Sequence, residues 1–146
     1  MPMLISRSDK IKFLTVSFME NRTKRTRFSL LKTAFNMHHR KGFKVRAIKA
    51  DGEIEDLVEP FAAPELDVDM NVIARDECAG LIERTIRVVK ERARSTHARL
   101  SYKKKPKMII RLIIKHVKKW LNRFPVKNGV SKTLSTRKII IGKDVK

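Results

Sequence analysis

The 146 residues suffice for one domain and are too few for two ordinary cores. Apolar residues make up 42% of them, which excludes a wholly disordered chain, and 35 Lys and Arg against 15 Asp and Glu leave a net charge of +20. A charge of that size selects a polyanionic partner, nucleic acid before an anionic membrane surface.

One cysteine, Cys78, excludes an internal disulfide framework. No apolar run nears the roughly 20 residues of a membrane span, and Met1–Ser6 is too short for a signal peptide. A nuclear or cytoplasmic protein that is not secreted is therefore expected. In chain order, Met3–Ser6 and Ile11–Phe18 read as a hairpin with Arg7–Lys10 as its turn, the second strand being rich in β-branched and aromatic residues. Asn21 or Thr23 caps a helix running to Lys41, with Phe28, Leu31 and Phe35 on one face and Gly42 just past its end. Phe43, Val45 and Ala47 alternate with Lys44, Arg46 and Ile48 as a strand does. Ile54, Leu57, Val58 and Phe61 repeat at helical spacing before Pro64, and Val72–Ala74 reads as a short strand. Two longer helices follow. Ala79–Thr96 is marked by Ile82, Ile86, Val89 and Ala93, and Pro106–Phe124 by Ile110, Ile113, Val117 and Leu121. Alternating strands and helices predict an α/β fold, a mixed sheet with helices packed on it. The domain spans residues 3–124, followed by a basic C-terminal tail, 125–146, in which Ile139–Ile141 is the ordered part.

Charge is segregated along the chain. Residues 1–50 carry 13 basic and 2 acidic side chains, net +11, and residues 84–146 carry 21 basic and 2 acidic, net +19. Between them, residues 51–83 hold 11 acidic side chains and only Arg75, net −10. An acidic island between basic arms suits carboxylates that hold a divalent metal beside a phosphate-binding surface. The plainer reading, since charge runs are usually solvated surface, is a helix face and loop carrying Asp56, Glu59, Glu65, Asp67 and Asp69. His38 and His39, adjacent on a helix, point about 100° apart, and lone Cys78 has no Cys-x-x-Cys partner, so no zinc site is expected.

Three segments stand in a telling order. They are Ala50-Asp51-Gly52-Glu53-Ile54-Glu55, then Gly80-Leu81-Ile82-Glu83-Arg84 with Arg87 and Glu91-Arg92-Ala93-Arg94 beyond it, and then Trp120-Leu121-Asn122-Arg123-Phe124-Pro125. Together they resemble the integrase catalytic core of copia-type retroelements (retrotransposons) over about Ile11 to Gly142. The first is similar to the segment of the second catalytic Asp, the second to the helix of the catalytic Glu, and the third to the Leu-x-Asn-Arg-x-Pro ending. The resemblance implies an RNase H-like fold and a metal-dependent polynucleotidyl transferase acting in DNA integration. It implies Asp51 and Glu83 as catalytic residues and ligands of Mg²⁺ or Mn²⁺, with DNA as partner, no membrane, and room for a homo-oligomer. The family's first catalytic Asp lies on the central strand, upstream of the hairpin. Asp9 falls in the hairpin turn and does not take that role. The expected protein is therefore an N-terminally truncated core, missing its first strand, that binds DNA without strand transfer.

The residues themselves leave other roles open. Asp51 is placed to cap the helix after it, and Glu83 to pair with Arg87 four residues on. Arg87, Lys90 and Arg94 share the Glu83 face and suit a phosphate track. Lys103, Lys104 and Lys105 form a basic loop fit for DNA contact, for a nuclear address, or for a plain connection. The basic stripe Lys107, Arg111, Lys115 and Lys118 also suits a membrane surface or a partner's groove. The alternative function is a non-catalytic, basic nucleic-acid-binding module.

Overall fold

The computed structural model describes residues 2–73, 79–102, 104 and 106–142. Strands β1 (Met3–Arg7) and β2 (Leu14–Phe18) pair antiparallel, from Met3 opposite Phe18 to Arg7 opposite Leu14. The turn between them is longer than the sequence suggests. Lys12 takes a left-handed φ of 63°, which breaks the extended run, and the Ser8 hydroxyl accepts the Phe13 N–H at 2.9 Å. Ile11 and Phe13 consequently bury their side chains from the turn rather than from a ladder.

Helix α1 (Lys24–His39) starts at Thr23, whose hydroxyl accepts the Thr26 N–H, and Gly42 supplies the left-handed residue after its end. Leu31 and Phe35 are buried, and Phe28 packs beside them. Strand β3 (Ala47–Asp51) begins beyond most of the alternating segment expected to form it, and Phe43 and Val45 reach the core from the loop. A 3₁₀ turn over Gly52–Leu57 and helix α2 (Val58–Ala62) then lead to β4 (Asp69–Ile73), which lies parallel to β3. The apolar spacing at Ile54, Leu57, Val58 and Phe61 has two local conformations, because Ile54 at φ −119° and ψ 20° interrupts the helical geometry. Leu57 and Phe61 are nonetheless fully buried.

Helices α3 (Ala79–Ala98) and α4 (Lys107–Leu121) match their expected spans within a few residues. Helix α5 (Thr136–Ile141) is capped by Ser135 and ended by left-handed Gly142. Although 125–146 reads as a tail, Ile140 is fully buried in a cluster with Ile11 and Phe13, and the Arg137 N–H donates to the Asn122 carbonyl.

The fold is mixed α/β in layers. Leu14 of the hairpin is buried with Val89 of α3 and with Ile113, Ile114 and Val117 of α4, while Met3, Ile5, Val16 and Phe18 pack on the same cluster. On the opposite side, Leu4 joins Leu31, Phe35, Leu57, Phe61, Val68 and Met70, as do Ile48 and Val72 from the parallel pair. The strands thus share a core, yet the described ones form two separate two-stranded sheets, β1–β2 and β3–β4. Pro2 O accepts the Met19 N–H and the Ser8 N–H donates to Phe13 O, so Leu4 and Ser6 face β2 while Met3, Ile5 and Arg7 turn their amides outward. Likewise Arg46 O accepts the Asp69 N–H, so Ile48 and Ala50 face β4 and Ala47, Lys49 and Asp51 face away. Strands β1 and β3 each keep one edge without a backbone partner among the described residues.

Candidate functional site

Asp51 ends β3 in extended conformation, and its Oδ1 accepts the Gly52 N–H at 2.7 Å. The carboxylate is exposed and caps the 3₁₀ turn, the local role open to an Asp at that position. Glu83 is also exposed, near the start of α3, and forms no ion pair with Arg87 among the described residues. The described residues contain no group of three His, Cys, Asp or Glu side chains arranged to hold a metal ion. Asp51 stands at the end of β3 and Glu83 in the opening turns of α3.

The cations are better arranged. Arg87, Lys90 and Arg94 are all exposed along one side of α3, with buried Thr85 and Val89 on its inner side. Arg7 of β1 donates to the Thr85 hydroxyl at 3.0 Å, and that hydroxyl donates to Leu81 O, which pins this helix to the hairpin. None of the three cations is in an ion pair among the described residues. Lys104 is exposed in the connection to α4, whereas Lys103 and Lys105 lie outside the described residues, as does Cys78. On α4, burial pushes the half-exposed Lys118 ammonium below its ordinary pKa, helped by the nearby charges of Lys115 and Arg137.

Two residues carry more structure than their sequence context suggests. Arg27 of α1 bonds the Glu53 carbonyl and the Asp56 carboxylate, the latter at 2.6 Å, tying α1 to the 3₁₀ turn. Asp56, read as surface charge, is a half-buried partner there. A shallow depression of about 760 Å³ beside this tie is lined by Lys24, Glu53, Glu55 and Glu59 as well, a solvated mix of both signs. Asn122, 3% exposed, makes a pair of bonds with one residue of β2: its Nδ2 donates to Leu14 O at 2.8 Å and its Oδ1 accepts the Leu14 N–H at 2.9 Å. That amide substitutes for a neighbouring strand on the outer edge of β2. Asn122, in the segment Trp120–Pro125, is therefore a structural clamp, a role that no periodicity or motif in the sequence signals.

None of the described helices is long and apolar enough to cross a membrane. No protein-family model matches the chain, and no curated protein matches it.

Proposed function

We propose that the chain is a DNA-binding, integrase-core-like domain of the copia retroelement type, without strand-transfer activity of its own. The strand arrangement carries this reading. A hairpin, a helix and a parallel strand pair with a helical crossover follow one another in the order that the resemblance requires. The resemblance expects one further strand in the middle of the sheet, and β1 and β3 have the unpaired edges on which such a strand would build. The exposed cations Arg87, Lys90 and Arg94 on α3 supply the phosphate track.

Duplex DNA should bind with little sequence preference, and neutralising six phosphates gives a log–log salt slope of about −5. Replacing Arg87, Lys90 and Arg94 by Gln should weaken binding more than replacing exposed Lys10, Lys41 and Lys44, since both sets remove three charges and only one is a track. Equal losses leave a bulk field and remove the track. Ancestry is tested separately. Fusing a β-strand with one central Asp ahead of Met3 should permit Mg²⁺- or Mn²⁺-dependent nicking that vanishes with Asp51→Asn or Glu83→Gln. Failure of the fusion, with DNA binding intact, assigns the chain instead to basic DNA-binding modules without catalytic descent, the second reading, which the capping role of Asp51 favours.

A further inference from the structure

Helix α4 and the turn that follows its C-cap Asn122 carry two rows of side chains at a spacing of four residues. Lys107, Arg111, Lys115, Lys119 and Arg123 form one, and Met108, Leu112, His116, Trp120 and Phe124 form the next. Every residue of the second row is exposed, and so is the first row apart from half-buried Arg123. Met108 is 70%, Leu112 52%, Trp120 43% and Phe124 55% exposed, which is unusual for four large apolar side chains in line. The inner side of the helix buries Ile113, Ile114 and Val117, so this outer row is not needed for the core.

The rings are ordered like plates. Trp120 and Phe124 stack with centroids 5.1 Å apart and planes 25° apart, His116 meets Trp120 edge-on at 6.4 Å, and the Arg123 guanidinium sits 5.7 Å from the Trp120 centroid. Within α4, from Lys107 to Trp120, both rows advance about 6 Å per step.

We propose that this side of α4 is a binding platform for single-stranded DNA, with bases stacking on the Trp120–Phe124 plates and phosphates following the cationic row. The proposal is independent of the integrase-like reading and uses a different helix from the α3 track. A polynucleotide strand alternates a flat apolar group with a single negative charge, and the two parallel rows match that alternation. A second copy of the chain would instead bring its own cationic row, at +20 net, against this one. An anionic bilayer calls for a broad apolar helix face, and the broad face of α4 is committed to the core. No exposed amide or hydroxyl side chain stands in either row to read a ribose 2′-OH.

Trp120 is the only tryptophan, so its fluorescence reports the platform directly. Titrating the full chain with a dT oligonucleotide of roughly 15 nucleotides should quench Trp120 emission, because a stacked base is the quencher. Trp120→Ala with Phe124→Ala should weaken dT binding at least about fivefold. Binding of a duplex should stay within twofold, about the level of measurement error, for this surface is not on its track. Lys115→Gln with Lys119→Gln should reduce the magnitude of the single-strand salt slope by about 1.4. Trp120→Phe should restore most of the binding lost in Trp120→Ala. If the Ala variants unfold, the wild-type quenching and the Gln pair still decide. Unquenched Trp120 with bound dT, equal losses on duplex and single strand, or tighter binding of an RNA of the same length overturns the proposal. So does a blue shift on phosphatidylserine vesicles without quenching by dT, or a dimer that the Ala pair abolishes.

Discussion

At the residue scale, Asn122 shows how a side chain can complete a sheet. Its two bonds satisfy the buried N–H and C=O of Leu14, and Thr136 adds a bond from its hydroxyl to the Asn122 carbonyl at 3.2 Å. Asn122→Ala leaves both Leu14 groups without a partner and should cost about 3 kcal/mol in urea unfolding, since each orphaned buried group costs about 1–3. Asn122→Asp keeps the shape but turns an acceptor toward the Leu14 carbonyl, and should lose at least as much. Lys118 gives the opposite sign. Its folded pKa lies below its unfolded value, so between the two the unfolded chain binds more protons and stability rises with pH. Below that window the partly desolvated positive charge is a standing cost. Lys118→Met should therefore raise the melting temperature at neutral pH and flatten the alkaline rise, as calorimetry across pH 7 to 11 would show. Neither effect is legible in the sequence, because Leu14 lies 108 positions from Asn122 and Arg137 lies beyond the turn after α4.

At the element scale, what reads well is what repeats. Helices α1, α3 and α4 were legible because their buried positions recur at helical spacing, with Thr23 and Gly42 marking the ends of the first. Strand β3 was displaced for a physical reason. Only Ile48 and Ala50 turn toward the core, a weak alternation, while Phe43 and Val45 imitate a strand pattern and pack from a loop. Pairing with β4 sets the register, and that partner is remote in sequence. The segment from Ile54 to Phe61 had the correct buried set with a mixed conformation, since burial decides the spacing and the kink at Ile54 does not disturb it. Phe61 is the centre of that element. It meets Phe28 at 5.2 Å and Phe35 at 6.4 Å, edge to face in both cases, and has no exposed surface. Phe61→Ala should lower unfolding free energy by about 4 kcal/mol, against a smaller loss for partly exposed Phe28→Ala, measured by denaturant midpoint.

At the scale of the whole molecule, the charge segregation proved legible as surface. The α3 cations stand exposed as expected, while Asp51 and Glu83 could be assigned to elements without any sequence signal for whether those elements converge. Convergence depends on how the layers stack, which no local pattern encodes. The division into two sheets has a direct signature in hydrogen exchange. Amides of Leu4, Ser6, Ile48 and Ala50 face strand partners and should be protected, whereas those of Ile5, Arg7 and Lys49 face edges without a partner among the described residues and should exchange early at neutral pH. Uniform protection across β1 and β3 would mean that something else covers those edges.

Those same edges bear on how the protein behaves in bulk. Strand edges without a partner among the described residues invite other chains to add to them, and the mutual repulsion of molecules at +20 works against that encounter. Screening shortens to about 3 Å at 1 M salt. A high-salt wash therefore removes the protein's colloidal protection, and the preparation washed that way should be the one most prone to precipitate.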